Sequence, residues 1–421
     1  MEYEIFCPTC GAIAEDDGAQ LECERCRGTS LLQCKFKEPK LPISESEHGI
    51  FRYRKWLPVR RVSLSCSGGA FYRSKGLAKE LGLRNLWISF NGFWPEKGST
   101  LQTGTFKDIE AACVLSRRAE TDNRVLVVAS AGNTASAFIA ACSQNEIRCV
   151  IVIPERGLKE LRIVGPVGSD VNLVVLADPA DYFDAIEFSR RLTVFPDFVL
   201  EGGVRNVARR AGLATVLLQA YEALGCLPEY YFQAISSGCG AIAVYEYSRR
   251  IAGDKGRVPK LLLSQNSPFA PIYRAWLSRS RTFIESDKET ARLDQRRMIA
   301  PVLGNRTPPY SLAGGVFDTL EGSGGDVKAV TNEAAIAAAK LFQTAEGIDI
   351  ELAAAVAVAN LIGAVQRNGI SPDAVICLNI TGGGKSRLAN SQRSDATLSY
   401  SFLLPKERNA NISRWAAIWS R

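Results

Sequence analysis

From about residue 80 the chain alternates between two kinds of apolar segment. Short β-branched runs, at Leu86–Phe90, Val125–Ala129, 150–153, Val171–Leu176, 231–235, 261–263 and 374–380, recur along it. Several lead through Gly- or Ser-containing turns into segments with helical apolar spacing, as at 134–142, 242–251 and 352–365. Strands separated by helices pair in parallel, so the alternation predicts an α/β protein with mostly parallel sheets. Residues 331–345 and 351–365 read as two helices joined by Glu346-Gly347. A chain of 421 residues with 46% apolar and 23% charged side chains can bury such a core, and its length suits more than one domain.

The first forty residues follow a different logic. Cys7-Pro-Thr-Cys10 and Cys23-Glu-Arg-Cys26 are separated by twelve residues that include Gly11, Asp16, Asp17 and Gly18. Two such turns offer four thiolates to one tetrahedral ion, so Cys7, Cys10, Cys23 and Cys26 are candidate ligands of a closed, structural zinc. The other reading is a knuckle that no longer holds metal. Twelve cysteines scattered over the chain do not form a disulfide framework and suit a reducing, cytoplasmic compartment.

Several function classes are excluded. Lysine and arginine total 51 against 44 acidic residues, an excess of 7 that suits small anionic substrates better than nucleic acid. No apolar stretch is long enough to span a bilayer, and the first residues offer neither a basic nor an apolar leader region, so no membrane or secretory segment is expected. With a single histidine, His48, a histidine-based triad has almost nothing to work with.

Four local patterns carry chemistry. Thr103-Gly104-Thr105-Phe106-Lys107-Asp108 precedes a helix expected at 109–119; taken alone, Lys107 also fits an ordinary solvated lysine. The strand Val125–Ala129 ends in Ser130-Ala131-Gly132-Asn133-Thr134 at a helix start, where free backbone N–H groups can receive a carboxylate. Asn133 adds an amide there, although an Asn-capped connection would look the same. The run 231–235 leads into Ser236, Ser237, Gly238, Cys239, Gly240 and Ala241, which suits a phosphate cradle by the same physics. Finally, Thr381-Gly382-Gly383-Gly384 closes another strand, where Thr381 can present a neutral hydroxyl.

In this order, the four patterns resemble fold-type II pyridoxal-phosphate enzymes, the tryptophan synthase β family. The resemblance implies two open, twisted, mostly parallel sheets with helices, preceded here by the zinc-ribbon-like knuckle at 1–40. The catalytic region would be 41–385, its smaller domain about 90–200, followed by an arm at 386–421 that is a surface feature or an oligomer contact. It further implies pyridoxal 5'-phosphate bound as a Schiff base to Lys107, which also serves as the catalytic base. Asn133 would face the ring hydroxyl, residues Ser237, Gly238, Cys239, Gly240 and Ala241 the phosphate, and Thr381 the pyridine nitrogen. Cys239 and Ala241 depart from the fuller Gly/Thr loop common in that family.

A closer resemblance covers nearly the whole chain. The cysteine knuckle ahead of this fold occurs in threonine synthase-like proteins. Gly49-Ile-Phe-Arg-Tyr53, the string from Phe90 to Glu96, residues 202–210, Asn305-Arg-Thr-Pro-Pro-Tyr310 and Gly314-Gly-Val-Phe-Asp318 look like archaeal cysteate synthases. That family makes L-cysteate and phosphate from O-phospho-L-serine and sulfite, on a route to coenzyme M in methanogens. The resemblance implies small anionic substrates and a homo-oligomer, dimer or trimer, with no nucleic-acid or membrane partner. Substrate would meet Ser130, Ala131, Gly132 and Thr134, with Asn206, Arg209 and Arg210 as oxyanion ligands; an Arg-Arg pair is equally a solvated basic edge. The competing activities are threonine synthase acting on O-phosphohomoserine and O-phosphoserine sulfhydrylase. A non-enzymatic alternative is a zinc-ribbon binding protein on a retired cofactor scaffold.

Overall fold

The computed structural model of the chain describes residues 2–61, 66–253, 256–391, 399–405, 407 and 412–420. Its N-terminus forms a small antiparallel sheet ordered β2-β1-β3, from β1 (Tyr3–Phe6), β2 (Ile13–Ala14) and β3 (Gln33–Phe36). Next come β4 (Ala70–Arg73), β5 (Leu86–Phe90) and a short hairpin of β6 (Phe93–Trp94) and β7 (Ser99–Thr100). Four strands of the smaller main sheet follow: β8 (Val125–Ala129), β9 (Cys149–Pro154), β10 (Val171–Leu176) and β11 (Phe198–Leu200). The chain then returns to the larger sheet with β12 (Tyr230–Ala234), β13 (Lys260–Asn266), β14 (Asp326–Val330) and β15 (Ile376–Ile380), and ends its strands with β16 (Tyr400–Leu403).

The smaller sheet has the order β11-β8-β9-β10-β16 and is wholly parallel. The larger has the order β14-β13-β12-β15-β5-β4 and is parallel except for β4 at its edge. Every residue of β9 and of β15 is buried, as expected for strands covered by helices on both faces. The strand runs read from the sequence all appear, with ends moved by one to three residues. The paired helices are also present, at Asn332–Glu346 and Leu352–Gln366.

Strand order places the turns that matter. In the smaller sheet β9 lies on one side of β8 and β11 on the other; in the larger, β13 and β15 flank β12 in the same way. Each central strand therefore marks a topological switch point, where the connections diverge and leave a crevice at the strand's carboxyl end. Those two ends carry Ser130–Thr134 and Ser236–Gly240.

The C-terminal segment does more than form an arm. β16 pairs in parallel with β10, from Leu173 opposite Tyr400 to Leu176 opposite Leu403. The helix Ile412–Trp419 turns its buried Trp419 onto Phe188, with ring centroids 6.4 Å apart. Part of the arm, residues 392–398 and 408–411, lies outside the described residues.

Candidate active site

Lys107 opens the helix Lys107–Arg117, and its backbone is tied to the turn that ends β15. The Phe106 N–H donates to the Thr381 carbonyl at 3.1 Å, the Gly383 N–H donates to Gly104 O at 3.0 Å, and Thr105 bridges Gly382. A side chain at Gly382 would put Cβ 3.0 Å from both Thr105 Cγ2 and Glu351 Cδ, so the close approach of these loops requires a very small residue there. Inside the helix start, Asp108 accepts from the Thr103 N–H at 2.8 Å and from its hydroxyl at 2.5 Å. Burial pushes the Asp108 carboxyl up to about 6 despite those two bonds.

The three strand-end turns meet Lys107 around one cavity. Its lining includes Lys107, the whole of Ser130–Thr134, Ser237–Gly240, Arg209 and Thr381. Gly238 caps the helix Cys239–Ala252 at φ 80° and has no side chain to cover the helix end; apart from a long 3.4 Å bond from the Cys239 N–H to Ser237 Oγ, the helix start can offer its N–H groups to an anion. A Cβ at Gly238 would also meet Val316 Cγ2 at 2.5 Å. The residues present fit pyridoxal phosphate: a lysine amine, an amide, a donor-rich helix start and a neutral hydroxyl share one cavity. Ala241 does not line it.

The sequence-level oxyanion candidates separate. Arg209 reaches the cavity, where its guanidinium donates to Glu110 and its Nε lies 3.2 Å from Glu201. Arg210 turns away: it pairs with Glu246 at 3.0 Å and donates to the carbonyls of Val204 and Leu32. Asn206 caps its helix through the Ala208 N–H at 3.0 Å and accepts from Arg117, also at 3.0 Å. It also donates to the Glu201 carbonyl at 2.7 Å. These bonds place Asn206 and Arg210 in the framework behind the cavity, not in its lining. The sequence reading of both as substrate ligands is corrected by that placement.

Three cavity or near-cavity residues were missed by the sequence. Glu351 lines the cavity, accepts from Asn133 Nδ2 at 2.8 Å and pairs with Arg162 and, at 3.4 Å, with Lys385. Burial alone would push its carboxyl up, but the Arg162 and Lys385 charges reverse that and hold it below the usual carboxylate range. Tyr182 lines the cavity beside Arg209, and burial raises its phenol. Glu110 lies behind Lys107, one turn along the same helix. Of the three, only Glu110 had a local signal, its i,i+3 spacing from Lys107.

At the N-terminus the four Sγ atoms of Cys7, Cys10, Cys23 and Cys26 lie within 4.8 Å of one another. Cys7 and Cys26 are 3.8 Å apart and Cys10 and Cys23 3.6 Å. A tetrahedron of thiolates at the usual Zn–S distance of about 2.3 Å has edges of about 3.8 Å, so this donor set fits zinc. The knuckle is fastened to the helix of Lys107 by a buried two-pronged pair, Arg117 Nε and a terminal nitrogen to Asp16 at 2.8 and 2.7 Å. All twelve cysteines are unpaired.

Comparison with known proteins decides the family. Residues 68–382 match the family described as pyridoxal-phosphate-dependent enzymes. A cysteate synthase of Methanosphaerula palustris is 43% identical over 392 residues, 92% of this chain and 91% of that one. One from Methanosarcina barkeri is 38% identical over 416 residues, 98% of each. The chain belongs to the cysteate synthase family of pyridoxal-phosphate-dependent enzymes. Among solved structures, maize serine racemase matches with a TM-score of 0.57 at 16% identity, over 77% of this chain and 92% of that one. A tomato (Solanum lycopersicum) threonine deaminase matches at 0.56 and 17%, over 76% and 87%. These two likenesses show the shared fold. Among the described residues no helix is long and apolar enough to cross a membrane.

Proposed function

We propose that this chain replaces the phosphate of O-phospho-L-serine with sulfite, releasing L-cysteate and inorganic phosphate. The observation that carries the reading is the convergence of Lys107, Asn133, the Ser237–Gly240 turn and Thr381 on one cavity, in a chain of this family. When bound, pyridoxal 5'-phosphate supplies an electron sink for chemistry at the substrate Cα and Cβ.

The chain's own residues supply the rest. Lys107 Nζ holds the cofactor and, once the substrate amine takes its place, receives the Cα proton and later returns it. The N–H groups at the start of Cys239–Ala252 would hold the cofactor phosphate, and Asn133 would face its ring hydroxyl. Thr381 would offer the pyridine nitrogen a neutral hydroxyl rather than a charge, which would favour elimination and replacement at Cβ over transamination. The Ser130–Thr134 turn receives the substrate carboxylate. Arg209 is the oxyanion ligand for the departing phosphate or the incoming sulfite. A cytoplasmic homo-oligomer with a structural zinc completes the proposal, supported by the free cysteines and the tetrahedral spacing of four of them.

The test is phosphate release from O-phospho-L-serine or O-phosphohomoserine, each with and without sulfite, and with sulfide in a parallel arm. Cysteate formed only from phosphoserine plus sulfite is the expected result. Threonine from phosphohomoserine without sulfite, or cysteine in preference to cysteate, would replace the reading. Lys107→Ala should lose both turnover and the absorbance of bound cofactor.

A further inference from the structure

One buried carboxylate holds both cations of the cavity. Glu110 is 0% exposed; its Oε2 accepts from Lys107 Nζ at 2.7 Å, and its Oε1 accepts from the Arg209 guanidinium. Thr134 Oγ1 lies 3.5 Å from the same Oε1. On its far side Arg209 meets Glu201, itself only 2% exposed.

The groups facing Glu110 come from five elements: Lys107 on its own helix, Arg209 on Val207–Leu224, Glu201 after β11, Tyr182 on Tyr182–Leu192 and Cys239 on Cys239–Ala252. Burial raises the Tyr182 phenol and pushes the Cys239 thiol up to about 12, so both stay neutral. Burial would raise the Glu110 carboxyl, but the Arg209 and Lys107 charges hold it below the usual carboxylate range, whereas burial raises the carboxyl of Glu201. Where the Lys107 nitrogen is uncharged, Glu110 keeps Arg209 as its charge partner but loses the second cation, a less favourable state for a carboxylate away from water.

We propose that Glu110 is a positioning residue that favours the protonated form of Lys107 Nζ when that nitrogen is joined to the cofactor, and that steadies the ammonium formed when the freed amine takes the Cα proton. The inference rests on Lys107 as the attachment point. Its consequence for turnover is that the Cα proton arrives at a nitrogen whose charged form is already matched by a carboxylate. The i,i+3 spacing puts the two side chains on one face of the helix, so the carboxylate stays within reach of the lysine nitrogen. Glu110 also fixes Arg209, so the base and the oxyanion ligand share one anchor.

The experiment is the absorption spectrum of the protein loaded with pyridoxal 5'-phosphate, titrated with pH, for wild type, Glu110→Gln and Glu110→Asp. The protonated linkage absorbs at longer wavelength than the neutral one. An opposite charge at this range shifts a titration by about 1–3 pH units. The glutamine variant should therefore lose the long-wavelength band at a pH lower than wild type by about that amount. The aspartate variant, which keeps the charge but withdraws it, should show a smaller downward shift and decides the matter if the glutamine variant fails to load. Superimposable titrations of wild type and either loaded variant would overturn the proposal. Loss of the band in Lys107→Ala tests the attachment point separately, so the two failures cannot be confused.

Discussion

Asn133 and Glu351 meet across the cleft between the two main sheets, amide nitrogen to carboxylate oxygen at 2.8 Å. Asn133 begins the helix after β8 in the smaller sheet, and Glu351 caps the helix Leu352–Gln366 that packs on the larger one. Arg162, also from the smaller-sheet side, pairs with the same carboxylate and donates to the Thr103 carbonyl at 2.6 Å. The cleft is thus closed at one point by a buried anion. The amide expected to face the cofactor hydroxyl is oriented by that anion.

Removing this carboxylate should cost stability. Glu351→Ala leaves Arg162 and Asn133 without their acceptor, and breaking a buried pair typically costs about 3 kcal/mol. A lowered Tm and weaker binding of pyridoxal 5'-phosphate, measured by fluorescence titration, are expected together. An unchanged Tm would show that the cleft is held elsewhere.

Arg209 and Arg210, adjacent in sequence, should respond differently to the same substitution. A lysine cannot reproduce the guanidinium fork. Arg209→Lys is expected to lower kcat/KM for the phosphorylated substrate by about tenfold or more, equivalent to about 1.4 kcal/mol. Arg210→Lys should lower Tm through its lost bonds to Glu246, Val204 and Leu32 while leaving KM close to wild type. Steady-state kinetics with parallel melting curves separate the two.

The cysteine knuckle should affect stability more than chemistry. Metal analysis of the purified chain is expected to find one zinc, and Cys7→Ser with Cys10→Ser should remove it and lower Tm. The cofactor absorbance at Lys107 should survive in the folded fraction. Loss of kcat in a folded, cofactor-loaded variant would instead show that the Asp16–Arg117 tie transmits the knuckle's state to the site.

Asp108 gives a pH dependence with a definite sign. Its carboxyl is raised from 3.8 to about 6, burial outweighing the Thr103 bonds. Between those values the folded chain keeps a proton that the unfolded chain releases, so stability from this group falls as pH rises from about 4 to about 6 and is level on either side. Asp108→Asn abolishes that titration. The difference in Tm, wild type minus variant, should therefore decrease across this window, and a constant difference would refute the shift.

Much of the site was legible locally. A strand that ends in Ser130–Thr134 or Ser236–Ala241 carries its anion-binding geometry in its own turn, because the helix start supplies the donors whatever lies around it. The two CxxC turns are similarly self-contained. Both patterns survived intact into the structure, and so did the strand runs, because β-branched apolar segments buried on both faces have few other places to go.

Which arginine lines the cavity was not legible in this way. In the helix Val207–Leu224 thirteen of eighteen residues are buried, so no polar stripe reveals its rotation. Arg209 and Arg210 point about 100° apart on any helix. Which of them faces the cavity depends on how that helix packs against its neighbours.

By itself, then, the sequence determined the α/β architecture, the cysteine knuckle, the lysine at the start of its helix and the Gly/Ser turns at the strand ends, all encoded within a few neighbouring residues. The tertiary structure decided that β16 joins the smaller sheet, that Arg209 and not Arg210 reaches the cavity, and that Glu110 and Glu351 anchor its charges. Those outcomes depend on burial and on partners about 100 residues or more away, such as Arg209 for Glu110 and Asn133 for Glu351. A carboxylate's role is set by the cation it meets in the folded interior, where charge must be matched.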